Sequence, residues 1–293
     1  MSLPLVSIVI PSYKPGHFEA CLRSAIGQSY LNTEILVSDN CPTEEIRDIC
    51  RRFPGVIYQR SSVVREQNVI SAFYSGKGEF IKPLYDDDLL HPFCIERMVA
   101  AFQSAPDVEL VFSASQVIDI NNMRTQTRRA YEASGHMRGI DMHRHMVLNL
   151  TNHIGELTTV MFRRARLWEL GWHNLFRRGS HDFTKGLADI ASYINFTENA
   201  ALFYVDEELS YFRHDQRLQS NSNAHSNPFF GNNFSDYIDL AVSAHETGAI
   251  TTAEFLAMHD TLTSVNERLA GVFEQMGEAY ARYLAYRGAL LQD

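Results

Sequence analysis

No apolar run in these 293 residues approaches the ~20 needed to span a bilayer, and Met1-Ser2-Leu3-Pro4-Leu5-Val6 lacks the basic start of a signal peptide. No transmembrane segment is expected, and the location that follows is cytoplasmic, at most peripheral to the inner membrane face. Positive charge is short too: 26 Lys and Arg against 35 Asp and Glu leave a formal net charge of −9. An acidic surface attracts neither nucleic acid nor anionic lipid, so neither is expected as the main partner. The four cysteines, Cys21, Cys41, Cys50 and Cys94, form no C-x-x-C pair, which points to core or helix thiols and away from a disulfide framework or zinc site. Phosphate-cradling G-x-G-x-x-G and G-x-x-x-x-G-K-[ST] loops are missing, and so is H-E-x-x-H. Dinucleotide-dependent dehydrogenases and P-loop NTPases thereby lose their main support. Gly76-Lys77-Gly78 precedes a strand instead of opening a helix, and reads as a turn.

What is present has a regular rhythm. Leu5–Ile10 is a β-branched run closed by Pro11 and the loop Ser12-Tyr13-Lys14-Pro15-Gly16, which reads as a buried strand. Phe18, Cys21, Leu22, Ala25 and Ile26 then fall at helical spacing. A second strand at 34–38 ends in Asp39, a third spans 56–58, and a helix follows from about Gln67 to Tyr74. Strands alternating with helices indicate an α/β fold with a parallel sheet. Further strands are expected at 108–113, 116–118, 157–162 and 201–205, a polar loop at 124–129, and helices near 139–150 and through Asp189.

One stretch organises the rest. The run Phe80-Ile81-Lys82-Pro83-Leu84-Tyr85 stops at three adjacent carboxylates, Asp86, Asp87 and Asp88, before Leu89-Leu90 and Pro92. Acids at the C-terminal end of a strand lie where open α/β sheets bind ligands. Three carboxylates in one turn repel one another unless a cation offsets them, and all-oxygen donors select hard ions, Mn²⁺ or Mg²⁺. The plainer reading is an acidic turn capping the next helix.

Taken in order, Val6-Ser7-Ile8-Val9-Ile10-Pro11-Ser12-Tyr13, Glu34-Ile35-Leu36-Val37-Ser38-Asp39-Asn40 and Gly78-Glu79-Phe80 through Asp86-Asp87-Asp88 to Pro92 resemble the family-2 glycosyltransferases. The resemblance implies a GT-A type, Rossmann-like mixed and mainly parallel sheet flanked by helices, with a C-terminal helical extension outside it. It implies transfer of a sugar from a nucleoside-diphosphate sugar, UDP or dTDP favoured, to an acceptor hydroxyl with inversion, in surface glycan biosynthesis. Pro11, Ser12 and Tyr13 would line base and ribose, and Asp39 would accept from a pyrimidine N3–H. Arg65 and Asn68 are candidates for nucleotide contact. Asp86-x-Asp88 looks like the DXD signature, with Asp86 on ribose or metal and Asp88 on Mn²⁺ or Mg²⁺; Asp87 is either a ligand or an outward acid. His214 aligns with a position that sometimes adds a metal ligand. Asp189 stands where the family carries its catalytic base, although Ala188 replaces the commoner preceding Glu, which leaves Asp182 as a rival base.

The acceptor, a glycan or other hydroxyl compound, is expected to meet residues from 115–180, with Glu156, Thr158, Thr159, Trp168 and Trp172 as candidates. No Gln-x-x-Arg-Trp signature supports a processive synthase. The implied domains are 1–218 (nucleotide-binding 1–114, acceptor-binding 115–218) and 219–293, an Asn/Ser-rich loop and helical tail. In that tail Thr251 and Glu254 make a capping box. Phe255, Met258, Leu262, Val265, Leu269, Val272, Met276, Ala279 and Tyr283 then step as an a/d heptad, fit for docking on the domain or for a homo-oligomer. Two rival functions share these features: a sugar-phosphate nucleotidyltransferase, and a non-catalytic module assembling through the tail.

Overall fold

The computed structural model describes residues 3–214, 217, 223–225 and 227–292. The expected boundary at 218/219, with the loop residues 218–222 and 226, lies outside them. In chain order the strands are β1 (Val6–Ser12), β2 (Thr33–Asp39), β3 (Val56–Arg60), β4 (Phe80–Pro83), β5 (Leu89–Leu90), β6 (Val108–Ile118), β7 (Arg124–Arg128), β8 (Gly135–Arg138), β9 (Val160–Arg163), β10 (Arg177–Arg178), β11 (His181–Asp182) and β12 (Ala201–Arg213). The helices are α1 (Phe18–Ile26), α2 (Glu45–Cys50), α3 (Glu66–Ser75), α4 (Cys94–Ser104), α5 (Gly139–Asn149), α6 (Arg164–Leu170), α7 (Ala188–Thr197), α8 (Asn232–Glu246), α9 (Thr252–Ala257), α10 (His259–Leu269) and α11 (Glu274–Leu290). They form two compact units: residues 1–137, 154–172 and 200–215, and residues 138–153, 173–199 and 216–293.

The first unit is built on a sheet whose main path runs β3-β2-β1-β4-β9-β6-β12-β5. Strands β3, β2, β1 and β4 are all parallel, as the alternation of strand and helix requires. Every residue of β1 is buried, which explains why its sequence is mostly apolar instead of alternating, with Ser7 and Ser12 as its buried polar residues. Helix α1 buries Phe18, Cys21, Leu22 and Ala25 on one face. Phe80 of β4 and Phe102 of α4 stack at 4.4 Å, and each buried ring contributes about 2–3 kcal/mol. All four cysteines are free and buried. No described helix is long and apolar enough to cross a membrane.

Two expectations for this unit are corrected. The stretch expected as a polar loop at 124–129 is β7, paired antiparallel to β6, with Gln116 Nε2 donating to Thr127 Oγ1 at 2.8 Å. Its side chains are mostly exposed, so its composition carried no apolar signal. The separate short strands expected at 108–113 and 116–118, and the one at 201–205, are parts of two long paired strands, β6 and β12, with register shifts after Val205.

The second unit is mainly helical. The Thr251–Glu254 capping box forms as expected. The heptad tail does not form one helix: it breaks into α9, α10 and α11, with Gly271 in the gap between Leu269 and Glu274 and Val272 left 70% exposed. Met276, Ala279 and Tyr283 are buried, and α11 packs along α8, a helix not among the expected elements. Arg282 forks onto Asp239 at 2.6 and 3.0 Å across that pair.

Candidate active site

Strand register brings the first unit's candidates to one sheet edge. Ser12 and Asp39 are paired across β1 and β2, so both strands end side by side, and β4 ends next to β1 where Val9 pairs with Pro83. The acidic loop starts three residues beyond that end. Backbone N–H groups of Tyr13 and Lys14 both donate to Asp86 Oδ2 at 2.6 Å, which ties the loop after β1 to the acids. The Lys14 ammonium donates to Asp87 Oδ2 and lies 4.0 Å from Asp86 Oδ1.

Asp88 is 1% exposed and held by both oxygens: Oδ2 accepts from the Thr158 hydroxyl at 2.5 Å, and Oδ1 from the Arg213 backbone N–H at 2.8 Å. Thr158 also accepts from Tyr85 N at 3.2 Å, and its carbonyl accepts from the ammonium of the fully buried Lys82, whose pKa burial brings down to about 8. Arg213 is buried as well; Nε donates to the Asp87 carbonyl at 2.7 Å, and its other nitrogens reach Asp119 O and Asn122 Oδ1. Lys14, Thr158 and Arg213 are therefore partners of the acids that no local motif marked. The one sequence hint was position: Lys14 sits in the loop after β1 and Arg213 just before His214.

Burial, with Asp87 next, pushes Asp86 up to about 6, and the same two causes push Asp88 well above the carboxylate range. Carboxylates so placed favour a proton, or any cation that replaces one. Each carboxylate retains acceptor capacity after its protein contacts. The donor set is all oxygen, so the residues fit a hard divalent ion once the Lys14 ammonium gives way. Among the described residues no three His, Cys, Asp or Glu side chains are already gathered as a ligand set. His214 is exposed, with its N–H on Ile118 O at 3.0 Å and its ring stacked with Phe212.

The nucleoside candidates are well ordered by hydrogen bonds. Asp39 is fully buried; Oδ1 accepts from Cys41 N at 2.8 Å, and Oδ2 from Tyr58 OH at 2.8 Å and Arg60 Nη1 at 2.9 Å. Asn68 bridges α3 to β2 by accepting from Ser38 Oγ at 2.7 Å and donating to Ser38 O at 2.8 Å. Pro11 and Ser12 are buried, while Tyr13 is 54% exposed and its ring is available to a ligand. Arg65 caps α3 with φ 52° and ψ −129°, a backbone that favours glycine and is kept where surroundings over-determine it.

The two base candidates lie in the second unit. Asp189 is in the first turn of α7, half-buried, and its Oδ2 accepts from Asn152 Nδ2 at 2.8 Å. The start of α7 is fixed by Asp236, which is pushed up to about 7 mainly by burial and accepts from Leu187 N at 2.9 Å. Gly186 approaches α8 so closely that a Cβ there would lie 2.3 Å from Asp236 Oδ2. Asp182 is exposed and paired with Arg177 at 2.7 Å; burial opposes ionisation, but hydrogen bonds from Thr184 and Arg177 hold it below the usual range. Of the acceptor candidates, Thr158 is engaged by Asp88, and Trp168 and Trp172 are more than half exposed on and after α6.

Residues 7–171 match the family model described as Glycosyl transferase family 2. Protein CgeD of Bacillus subtilis is 25% identical over 170 residues, which are 50% of this chain and 40% of that protein. An uncharacterized glycosyltransferase of Haemophilus influenzae is 21% identical over 207 residues, 68% of this chain and 67% of its own. A putative teichuronic acid biosynthesis glycosyltransferase, TuaG of Bacillus subtilis, is 29% identical over 92 residues, 29% of this chain and 36% of that one. Against CgeD and TuaG the matched stretch therefore spans less than half the relative's length. Among solved structures, S. aureus TarS 1-349 superposes with TM-score 0.63 at 14% identity, covering 97% of this chain and 80% of that one. The same protein in complex with UDP-GlcNAc gives TM-score 0.63 at 13% identity, covering 97% and 89%. At these identities the likeness is one of fold, the GT-A type.

Proposed function

The chain belongs to glycosyl transferase family 2, and from that premise we propose that it transfers a sugar from a UDP or dTDP donor to an acceptor hydroxyl, with inversion, in the making of a surface glycan. The observation that carries the donor site is the joining of β1 and β4 at Asp86, whose Oδ2 takes two backbone N–H groups from the loop after β1. With Asp39 beside Ser12, this makes one crevice edge of the residues for base, ribose and diphosphate. The TarS complexes with UDP and UDP-GlcNAc support a uridine donor, and the TuaG likeness supports a glycan product.

Asp86 and Asp88 would hold Mn²⁺ or Mg²⁺, which when bound offsets the charge that builds on the departing diphosphate. Asp39 is fully buried and has three protein donors, so a pyrimidine N3–H would reach the remaining Oδ1 lone pair by displacing part of that cover. Asp189 is the better base: Asn152 orients it, whereas Asp182 is neutralised by Arg177 and held at low basicity. The carboxylate takes the hydroxyl proton as the acceptor oxygen bonds to the anomeric carbon.

The test is turnover of UDP-sugars with Mn²⁺ in Asp189→Asn and Asp182→Asn. Loss of roughly 10²–10⁴ in kcat with donor binding kept is expected for Asp189 alone. Full turnover in Asp189→Asn rejects the assignment.

A further inference from the structure

The second unit carries a half-open cavity of about 570 Å³ between α8, α10 and the residues that flank α5 and α7. Leu150 just past α5, Leu187 at the entry to α7, Phe234 and Tyr237 on α8, and Arg268 and Leu269 on α10 line it. Its size is that of small-molecule sites, which are mostly apolar with a few polar groups. Arg268 carries the one formal charge among the described lining residues.

Two observations connect the cavity to Asp189. Leu187 lies two residues before it, on the turn that Asp236 pins. The Tyr237 phenol is pushed up by burial and then by the charge of Asp189. A third bears on the wall itself: Leu150 adopts φ 47°, ψ 47°, the left-handed region where glycine or asparagine is usual. That conformation ends α5, with the Leu150 N–H on Met146 O and Val147 O, and leaves Leu150 lining the space.

Resting on the reading of Asp189 as base, we propose that this cavity is the acceptor subsite and takes a glycoside with an apolar aglycone and an anionic group. The aglycone fills the space between Leu150, Phe234 and Leu269, the anion meets Arg268, and a sugar hydroxyl is presented to Asp189. This would give the transferase preference for an acidic, hydrophobically tagged acceptor over a free neutral sugar.

The experiment is titration of the full chain, without donor or metal, followed by saturation-transfer NMR. Phenyl β-D-glucuronide, methyl β-D-glucuronide and phenyl β-D-glucoside are the probes. Phenyl glucuronide is expected to bind about ten-fold tighter than either of the others, and Arg268→Ala to bring it level with phenyl glucoside. Arg268 is exposed, so the variant is expected to fold, and its UDP binding should match the parent. Equal binding of phenyl and methyl glucuronide, no detectable binding of any probe, or indifference to Arg268→Ala overturns the subsite. Loss of a dimer in Arg268→Ala by light scattering does so too, by giving the surface to a second copy. Failure here with UDP still bound leaves the donor site standing; UDP not bound by the parent protein fails the donor reading instead.

Discussion

The Thr158 hydroxyl donates to Asp88 Oδ2 at 2.5 Å across 70 residues of sequence. That bond stabilises a buried carboxylate whose ionisation its surroundings oppose. Thr158→Val removes the donor and keeps the shape, and a hydrogen bond to a charged group is worth roughly 1.5–3 kcal/mol. We expect a lower melting temperature and weaker binding of UDP with Mn²⁺. Calorimetric scans and titrations read both, and no change in either contradicts the role given to this contact.

Lys14 competes with any divalent ion for Asp86 and Asp87. Its side chain is 37% exposed, so the pairing is screened and worth no more than a few-fold in affinity. Lys14→Ala should raise Mn²⁺ affinity without nucleotide by roughly two- to five-fold, as measured by electron paramagnetic resonance. Lower or unchanged affinity would show that the ammonium and the ion do not share a place.

Gly186 tests the positioning of the base without touching it. An alanine Cβ would meet Asp236 Oδ2 at 2.3 Å and the Asn232 carbonyl at 2.6 Å, so the turn into α7 must shift. Overpacking of this kind costs about 1–3 kcal/mol, and a misplacement of about 1 Å can cost 10²-fold in rate. Gly186→Ala should lower kcat while the KM for the donor stays within two-fold or so. A KM effect with unchanged kcat would detach α7 from the chemistry.

His143 on α5 is fully buried with neither ring nitrogen hydrogen-bonded among the described residues, and burial brings its pKa down to about 3. The unfolded chain, with the usual value of 6.5, binds the proton that the folded one refuses between about 6.5 and 3. This histidine's share of stability is therefore full above pH 6.5 and is lost as pH falls through that window. Each pH unit inside it costs up to about 1.4 kcal/mol. His143→Leu should flatten the acid side of the stability profile in urea melts; parallel profiles for the two proteins would refute this.

Much of the donor half was legible because its signals are local. The β-branched β1, the helical spacing of α1 and the strand-end acids each declare themselves within ten residues, and register then does the assembly. What was not legible is non-local or chemically mute. Thr158 and Arg213 reach Asp88 from 70 and 125 residues away with no motif around them. Strand β9 enters antiparallel between β4 and β6, which alternation of strand and helix does not specify. Lys82, a charged residue within an apolar strand, is buried whole because its ammonium donates hydrogen bonds to two carbonyls, one of them on distant Thr158. The tail followed an a/d pattern, and the pattern correctly found buried faces while missing the break at Gly271. Helix α8 was hidden by its own buried polar residues, Ser235, Asp236, Asp239 and Ser243.

The donor site requires a nucleoside diphosphate seated at the ends of β1, β2 and β4. Isothermal titration of the chain with UDP and Mn²⁺ tests this most directly, with Asp88→Ala alongside. One-site binding that weakens by about a hundred-fold or more in the variant is the predicted result. No heat of binding at millimolar UDP, or equal affinity in Asp88→Ala, would contradict it.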